Sequence, residues 1–104
     1  VVEYAWDHDG PLAGAIVLCG DPSTGEASAG WSDTWHQDKS VMPLHGKDAG
    51  SSVVLRGTYP VPGHPDWGWR IELGLSGPNV PLRMINVSPE GDEEWAVEAT
   101  YERA

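Results

Sequence analysis

Phenylalanine is absent from this 104-residue chain, cysteine occurs once, and six lysines and arginines face sixteen aspartates and glutamates. Each scarcity excludes something. The single cysteine, Cys19, rules out an internal disulfide and points toward a cytoplasmic setting. A formal net charge of -10 denies the chain the basic face that nucleic acid or an anionic membrane surface requires. No apolar run approaches membrane-spanning length, and no signal-peptide pattern is visible. Helical periodicity is missing from every window of about ten residues.

Without phenylalanine, the bulky core material must come from six Trp and three Tyr, in a chain that is 39% hydrophobic. The length allows one domain with one core, residues 1–104. Thirteen Gly and nine Pro are too few to signal disorder and serve as turn punctuation. Between those turns lie alternating runs: "VVEYAWD", "LAGAIVLC", "EASAGWSDTWHQ", "SVMPLHG", "SSVVLRGTY", "WGWRIELGL", "VPLRMINVS" and "EEWAVEATYER". About eight strands with short connections pair as an antiparallel meander, an all-β barrel or partial barrel.

Strand pairing can be tested by folding the sequence on its turns. About Ser76-Gly77-Pro78-Asn79, Leu73 meets Leu82, Ile71 meets Met84 and Trp69 meets Asn86 on one face, with Glu72 opposite Arg83 on the other. About Pro89-Glu90-Gly91-Asp92, Asn86 meets Trp95, Met84 meets Val97, Leu82 meets Ala99, and Arg83 meets Glu98. Placing Arg56 opposite Glu72 extends this to an outer ladder Arg56-Glu72-Arg83-Glu98. Each such pair contributes only about 0.2–1 kcal/mol, but a one-residue slip would exchange the two faces.

The stretch "GWSDTWHQ", residues 30–37, looks catalytic and is not. Asp33 and His36 fall on opposite faces of a strand. Ser32 and His36 share a face but stand about 13 Å apart at about 3.3 Å per residue, where a nucleophile and its base need about 3 Å. Taking Asp38-Lys39 as a hairpin tip pairs His45 with Ser32, away from His36, and His8 and His64 fall in turns. No metal site, cofactor or catalytic residue is therefore assigned.

Ala27, Ala29, Trp31, Asp33 and Trp35 share the inner face. An inward carboxylate is costly unless partnered or wetted. Asn86 is the matching oddity, flanked by Trp69 and Trp95, and Trp67 continues the row of Trp69, Ile71 and Leu73. Tryptophans around a few polar groups compose a typical small-molecule site, so the candidate ligand-binding residues are Trp31, Asp33, Trp35, Trp67, Trp69, Asn86 and Trp95. Asp33 could instead bond a backbone amide or a Tyr hydroxyl and organise a barrel end. Arg70 falls on the outer face, a poor place for an anion clamp.

"SDTWHQ", "GTYP...PDWGWRIEL", "MINVSPEG" and the terminal "VEATYERA" together resemble the bacterial domain-of-unknown-function family 1579, a lipocalin-like, calycin-type group. The resemblance covers nearly the whole chain and implies an antiparallel barrel with a central cavity, but no activity. Such families usually begin with a strand region carrying a Gly-x-Trp signature. This chain is expected to lack it, leaving two strand edges through which copies could pair as a homo-oligomer. The leading expectation is a binding module for a small apolar or aromatic molecule, oriented by Asp33 and Asn86. The alternatives are a structural or oligomerisation domain with a filled core, and a cavity enzyme using Asp33 as acid or base.

Overall fold

A computed structural model of the chain describes residues 2–7, 10–21, 23–34 and 40–102. The strands are β1 (Val2–Asp7), β2 (Pro11–Asp21), β3 (Glu26–Asp33), β4 (Met42–Asp48), β5 (Ser52–Val61), β6 (His64–Gly74), β7 (Asn79–Val87) and β8 (Glu93–Glu102). They hydrogen-bond in chain order as one eight-stranded antiparallel meander, curled into a nearly closed barrel. The tightest reversal is Pro62-Gly63, where proline presets the first turn position and Gly63 takes a φ of 76° that a Cβ would penalise.

Side-chain alternation determines which face is inside. Ile16, Leu44, Val53, Leu55, Ile71, Leu82 and Met84 are fully buried and form one core with Trp31, Trp69 and Leu73. Each such side chain contributes about 1.5–3 kcal/mol on removal from water. The β6–β7 pairing is as anticipated, with Leu73 opposite Leu82, Ile71 opposite Met84, Trp69 opposite Asn86 and Glu72 opposite Arg83. Met84–Val97, Leu82–Ala99 and Arg83–Glu98 also meet as expected between β7 and β8.

Three expected pairings differ. A bulge at Met84/Ile85 puts Trp95 opposite Ile85 and Asn86 opposite Glu94. Ile85 in turn lies opposite outward-facing Arg70, so Trp95 moves to the outer face, where it is 68% exposed. Arg56 stands opposite Arg70 rather than Glu72, and His45 opposite Ser28 rather than Ser32. The last two are slips of an even number of residues, which leave every side chain on its expected face.

The outer ladder is consequently rearranged. Arg70 donates from Nε to Glu72 at 2.8 Å and forks its two Nη atoms onto Glu93 at 2.6 and 3.1 Å. Glu72 also accepts from Arg83 at 3.4 Å. These carboxylates offset the charge of Arg70, which stands directly opposite Arg56. The Arg70 hydrogen bonds hold the Glu93 carboxyl below its usual range, and the attraction of Arg70, then Arg56 and Arg83, adds to this.

Strands β1 and β8 end the sheet, and no ladder joins them among the described residues. Their faces record it. On β7 the inward residues Val80, Leu82 and Met84 are buried, whereas on β8 their neighbours Val97, Ala99 and Tyr101 are only half-buried. The barrel is open along one seam.

Candidate functional site

Asp33 lies at the end of β3, and the row across the sheet explains its surroundings. Tyr4 on β1 lies opposite Gly14 on β2, and Gly14 lies opposite Asp33 on β3. With no side chain at Gly14, the Tyr4 ring lies across that position and reaches the carboxylate. A Cβ built on Gly14 would come within 2.5 Å of the Tyr4 hydroxyl and 2.7 Å of the Asp33 Cβ. Glycine is required here for close approach, since its φ is not in the left-handed region.

The hydrogen bonds run in one direction. Trp31 Nε1 donates to the Tyr4 hydroxyl at 2.7 Å, and that hydroxyl donates to Asp33 Oδ2 at 3.3 Å. Asp33 is 4% exposed, the one charged residue in the described core. Burial drives the Tyr4 phenol well above its usual pKa; the Asp33 charge adds to the shift and the Trp31 hydrogen bond opposes it. At neutral pH Tyr4 is therefore a fixed donor rather than a base.

Trp31 also stacks on Trp69, ring centroids 5.1 Å apart and planes 12° from parallel. The two rings are 1% and 4% exposed, so they fill the barrel centre rather than wall a chamber. Beyond them the Tyr59 hydroxyl donates to Asn86 Oδ1 at 2.6 Å. Both polar groups singled out on the inner face thus meet a tyrosine hydroxyl. Trp67 is half-buried opposite Tyr59, and Trp35 lies outside the described residues.

What remains accessible is a cleft of about 270 Å³ in the seam. Its floor is Asp33, Tyr4 and Met84, and its walls are Tyr101 and the β8 edge from Trp95 to Ala99. Tyr4 and Tyr101 pack against each other at its side, with ring centroids 5.8 Å apart and planes at 44°. Burial raises the Tyr101 phenol pKa as well. Of the candidate residues, Asp33 lies in the cleft and Trp95 touches it only at the β8 edge, being turned to the outer face, while Asn86 and Trp67 are not on it. Tyr4 and Tyr101 were missed as site residues. The signal available was the inward parity of a tyrosine on each terminal strand, together with a mid-strand glycine able to admit one of them.

A larger groove of about 670 Å³ crosses the outer face of β2 to β5, lined by Cys19, Ser28, His45, Lys47 and Arg56 among others. Cys19, Ser28, His45 and Arg56 form one cross-strand row there. These side chains are exposed, and Lys47 is partnered loosely by Glu26 at 3.9 Å. Among the described residues, no buried polar side chain lines the groove. Among the described residues, no three His, Cys, Asp or Glu side chains converge as a metal site would require.

The fold and cleft define an antiparallel meander barrel, open at one seam, with a carboxylate at the base of the opening. No family model matches the chain, and no curated protein or solved structure matches it.

Proposed function

We propose that this domain binds a small apolar or aromatic molecule, and that the site is the seam cleft rather than the barrel centre. The observation that carries this reading is Asp33, a buried carboxylate held by Tyr4 at the floor of an otherwise largely apolar cleft. A few fixed polar groups among apolar side chains are the usual composition of a small-molecule site. A volume of about 270 Å³ suits a molecule of one ring. The open meander accords with the lipocalin-like reading of the motifs, with the ligand position displaced to the seam because Trp31 and Trp69 occupy the middle.

The test is titration with 2-phenylethanol followed by intrinsic tryptophan fluorescence, in the native protein and in Ala99→Trp. Ala99 is half-buried on the cleft wall, and an indole there fills the space. A saturable response in the native protein that Ala99→Trp abolishes, with unchanged circular dichroism, supports the reading. An undiminished response in Ala99→Trp would place binding elsewhere.

A second reading, assembly of copies through the open edges of β1 and β8, is favoured by the absence of a ladder between them among the described residues. Charge opposes it: Glu3 lies on β1, and Glu93, Glu94, Glu98 and Glu102 lie on β8. Like charges across paired edges are destabilising. Self-association through these edges should therefore strengthen with added salt, as light scattering would show.

A further inference from the structure

We infer that the outer face of β2 to β5 holds a second site, for a small amphiphilic anion: a phosphate-type head group on a short apolar body. The site lies on the other side of the sheet from the seam cleft and is independent of it.

The head group falls on the cross-strand row Ser28, His45 and Arg56, each directly opposite the next on β3, β4 and β5. Neighbouring side chains in such a row start about 5 Å apart. A tetrahedral oxyanion above His45 therefore meets the Ser28 hydroxyl on one side and the Arg56 guanidinium on the other. Lys47 follows two residues along β4, on the same face. All four side chains can donate hydrogen bonds, and all four line the outer groove of about 670 Å³.

Positive charge concentrates on this side. Of the six lysines and arginines in the chain, the four that are described, Lys47, Arg56, Arg70 and Arg83, lie on β4 to β7. Arg56 and Arg70 are directly opposite each other, an unfavourable pairing of like charges. Arg70 is hydrogen-bonded to Glu72 and Glu93. Arg56 makes no hydrogen bond or ion pair among the described residues, and its interaction with Glu93 is through space. An anion in the groove supplies Arg56 with the counter-charge that Arg70 already has. The two carboxylates of the groove are engaged toward the strand ends: Asp21 accepts from the backbone and hydroxyl of Ser23, and Glu26 stands opposite Lys47 at 3.9 Å.

The apolar body has its own surface. A second outer groove, of about 480 Å³, shares Cys19 and Ser28 with the first and continues over Val17, Gly30 and Val41. Val17 and Val41 are 51% and 68% exposed, two of the three large hydrophobics so exposed among the described residues. Gly30 lies opposite Val17, and Val41 leans to within 3.1 Å of the place a Cβ on Gly30 would take. An apolar shelf thus adjoins the row of donors. A ligand that covers the shelf removes apolar surface from water, which inorganic phosphate cannot do. The net charge of -10 repels polyanions and restricts the site to a small molecule.

The experiment is isothermal titration calorimetry at pH 7 with hexyl phosphate, inorganic phosphate and 1-hexanol. Hexyl phosphate should bind about tenfold or more tightly than either of the others. Arg56→Gln should weaken its binding about tenfold. Val17→Ser should reduce its advantage over inorganic phosphate about threefold or more. Both side chains are exposed, so neither variant disturbs the core. Amide shifts on adding hexyl phosphate should fall on Val17, Ser28, His45 and Arg56. Undiminished binding in Arg56→Gln, shifts confined to Tyr4 and residues 95–101, or no binding of hexyl phosphate would overturn the inference. Inorganic phosphate binding as tightly as hexyl phosphate would mean an adventitious ion only, and would overturn it too. The seam-cleft reading is decided separately, by the 2-phenylethanol titration.

Discussion

Adding one methyl group at Gly14 should destabilise the protein despite the higher strand propensity of alanine. The new Cβ would sit 2.5 Å from the Tyr4 hydroxyl and 2.7 Å from the Asp33 Cβ, distances that force something to move. Neither neighbour is a loose chain end, since Tyr4 is clamped by Trp31 and Asp33 is 4% exposed on β3. Forced repacking of this kind costs about 1–3 kcal/mol. Losing the Trp31–Tyr4 hydrogen bond costs about 1 kcal/mol more. Replacing a mid-strand glycine by alanine offsets about 0.5–1 kcal/mol of this. The net expectation is a loss of about 2 kcal/mol, or a drop of about 1 M in the urea midpoint at ordinary denaturant sensitivities.

Urea unfolding followed by tryptophan fluorescence measures this, with Gly30→Ala as the control. A Cβ on Gly30 meets only the exposed Val41 side chain, at 3.1 Å, which can swing aside. That variant should stay within about 0.5 kcal/mol of the native protein. A midpoint for Gly14→Ala equal to or above the native value would refute the close-approach role of Gly14 and the tyrosine placement built on it.

Other consequences are equally open to measurement. Tyr4, Tyr59 and Tyr101 are all held above the usual phenol pKa by burial, so the folded state retains their protons where the unfolded chain releases them. Stability should therefore be unaffected by these groups below about pH 10 and fall as pH rises beyond it, with phenolate absorbance appearing late; ionisation at the usual value would contradict the burial. Glu93 has a depressed carboxyl pKa, so its contribution is present above the usual carboxylate range and lost as pH falls. Glu93→Gln should be less stable than the native protein at neutral pH and indistinguishable from it in acid. The Trp31–Trp69 stack should give an exciton couplet in far-ultraviolet circular dichroism that disappears in Trp31→Phe.

Much of the architecture was legible because strand parity has only two solutions. Matching apolar residues across Ser76–Asn79 yields the β6–β7 register directly, since both faces are specified there: Leu73 and Ile71 inside, Glu72 opposite Arg83 outside. Where one face is small or polar, parity survives but distance does not. The β3–β4 register lies four residues from the one drawn about Asp38-Lys39, because small Ala27 and Ala29 leave an even-numbered slip without a steric signature. A bulge is harder still. Met84 and Ile85 are consecutive and both buried, which hints at one, but nothing in the string "RMINVS" requires Trp95 to turn outward.

The site was half legible. An inward carboxylate beside tryptophans identified Asp33, and a tyrosine hydroxyl was among its anticipated partners. That Tyr4 supplies it follows from β1 pairing with β2 at Gly14, a long-range register that the alanines and glycines of "LAGAIVLC" do not specify locally. Composition likewise cannot tell whether tryptophans wall a cavity or fill it; the 5.1 Å stack of Trp31 on Trp69 does.

The most direct test of the central claim, a ligand cleft in the β1–β8 seam, is amide chemical-shift mapping with 2-phenylethanol added to the isotope-labelled protein. Saturable shifts should cluster on Tyr4, Asp33 and residues 95–101, with the outer groove around Cys19, His45 and Arg56 unmoved. Shifts confined to that groove, or to the Tyr59–Asn86 end of the barrel, would contradict it.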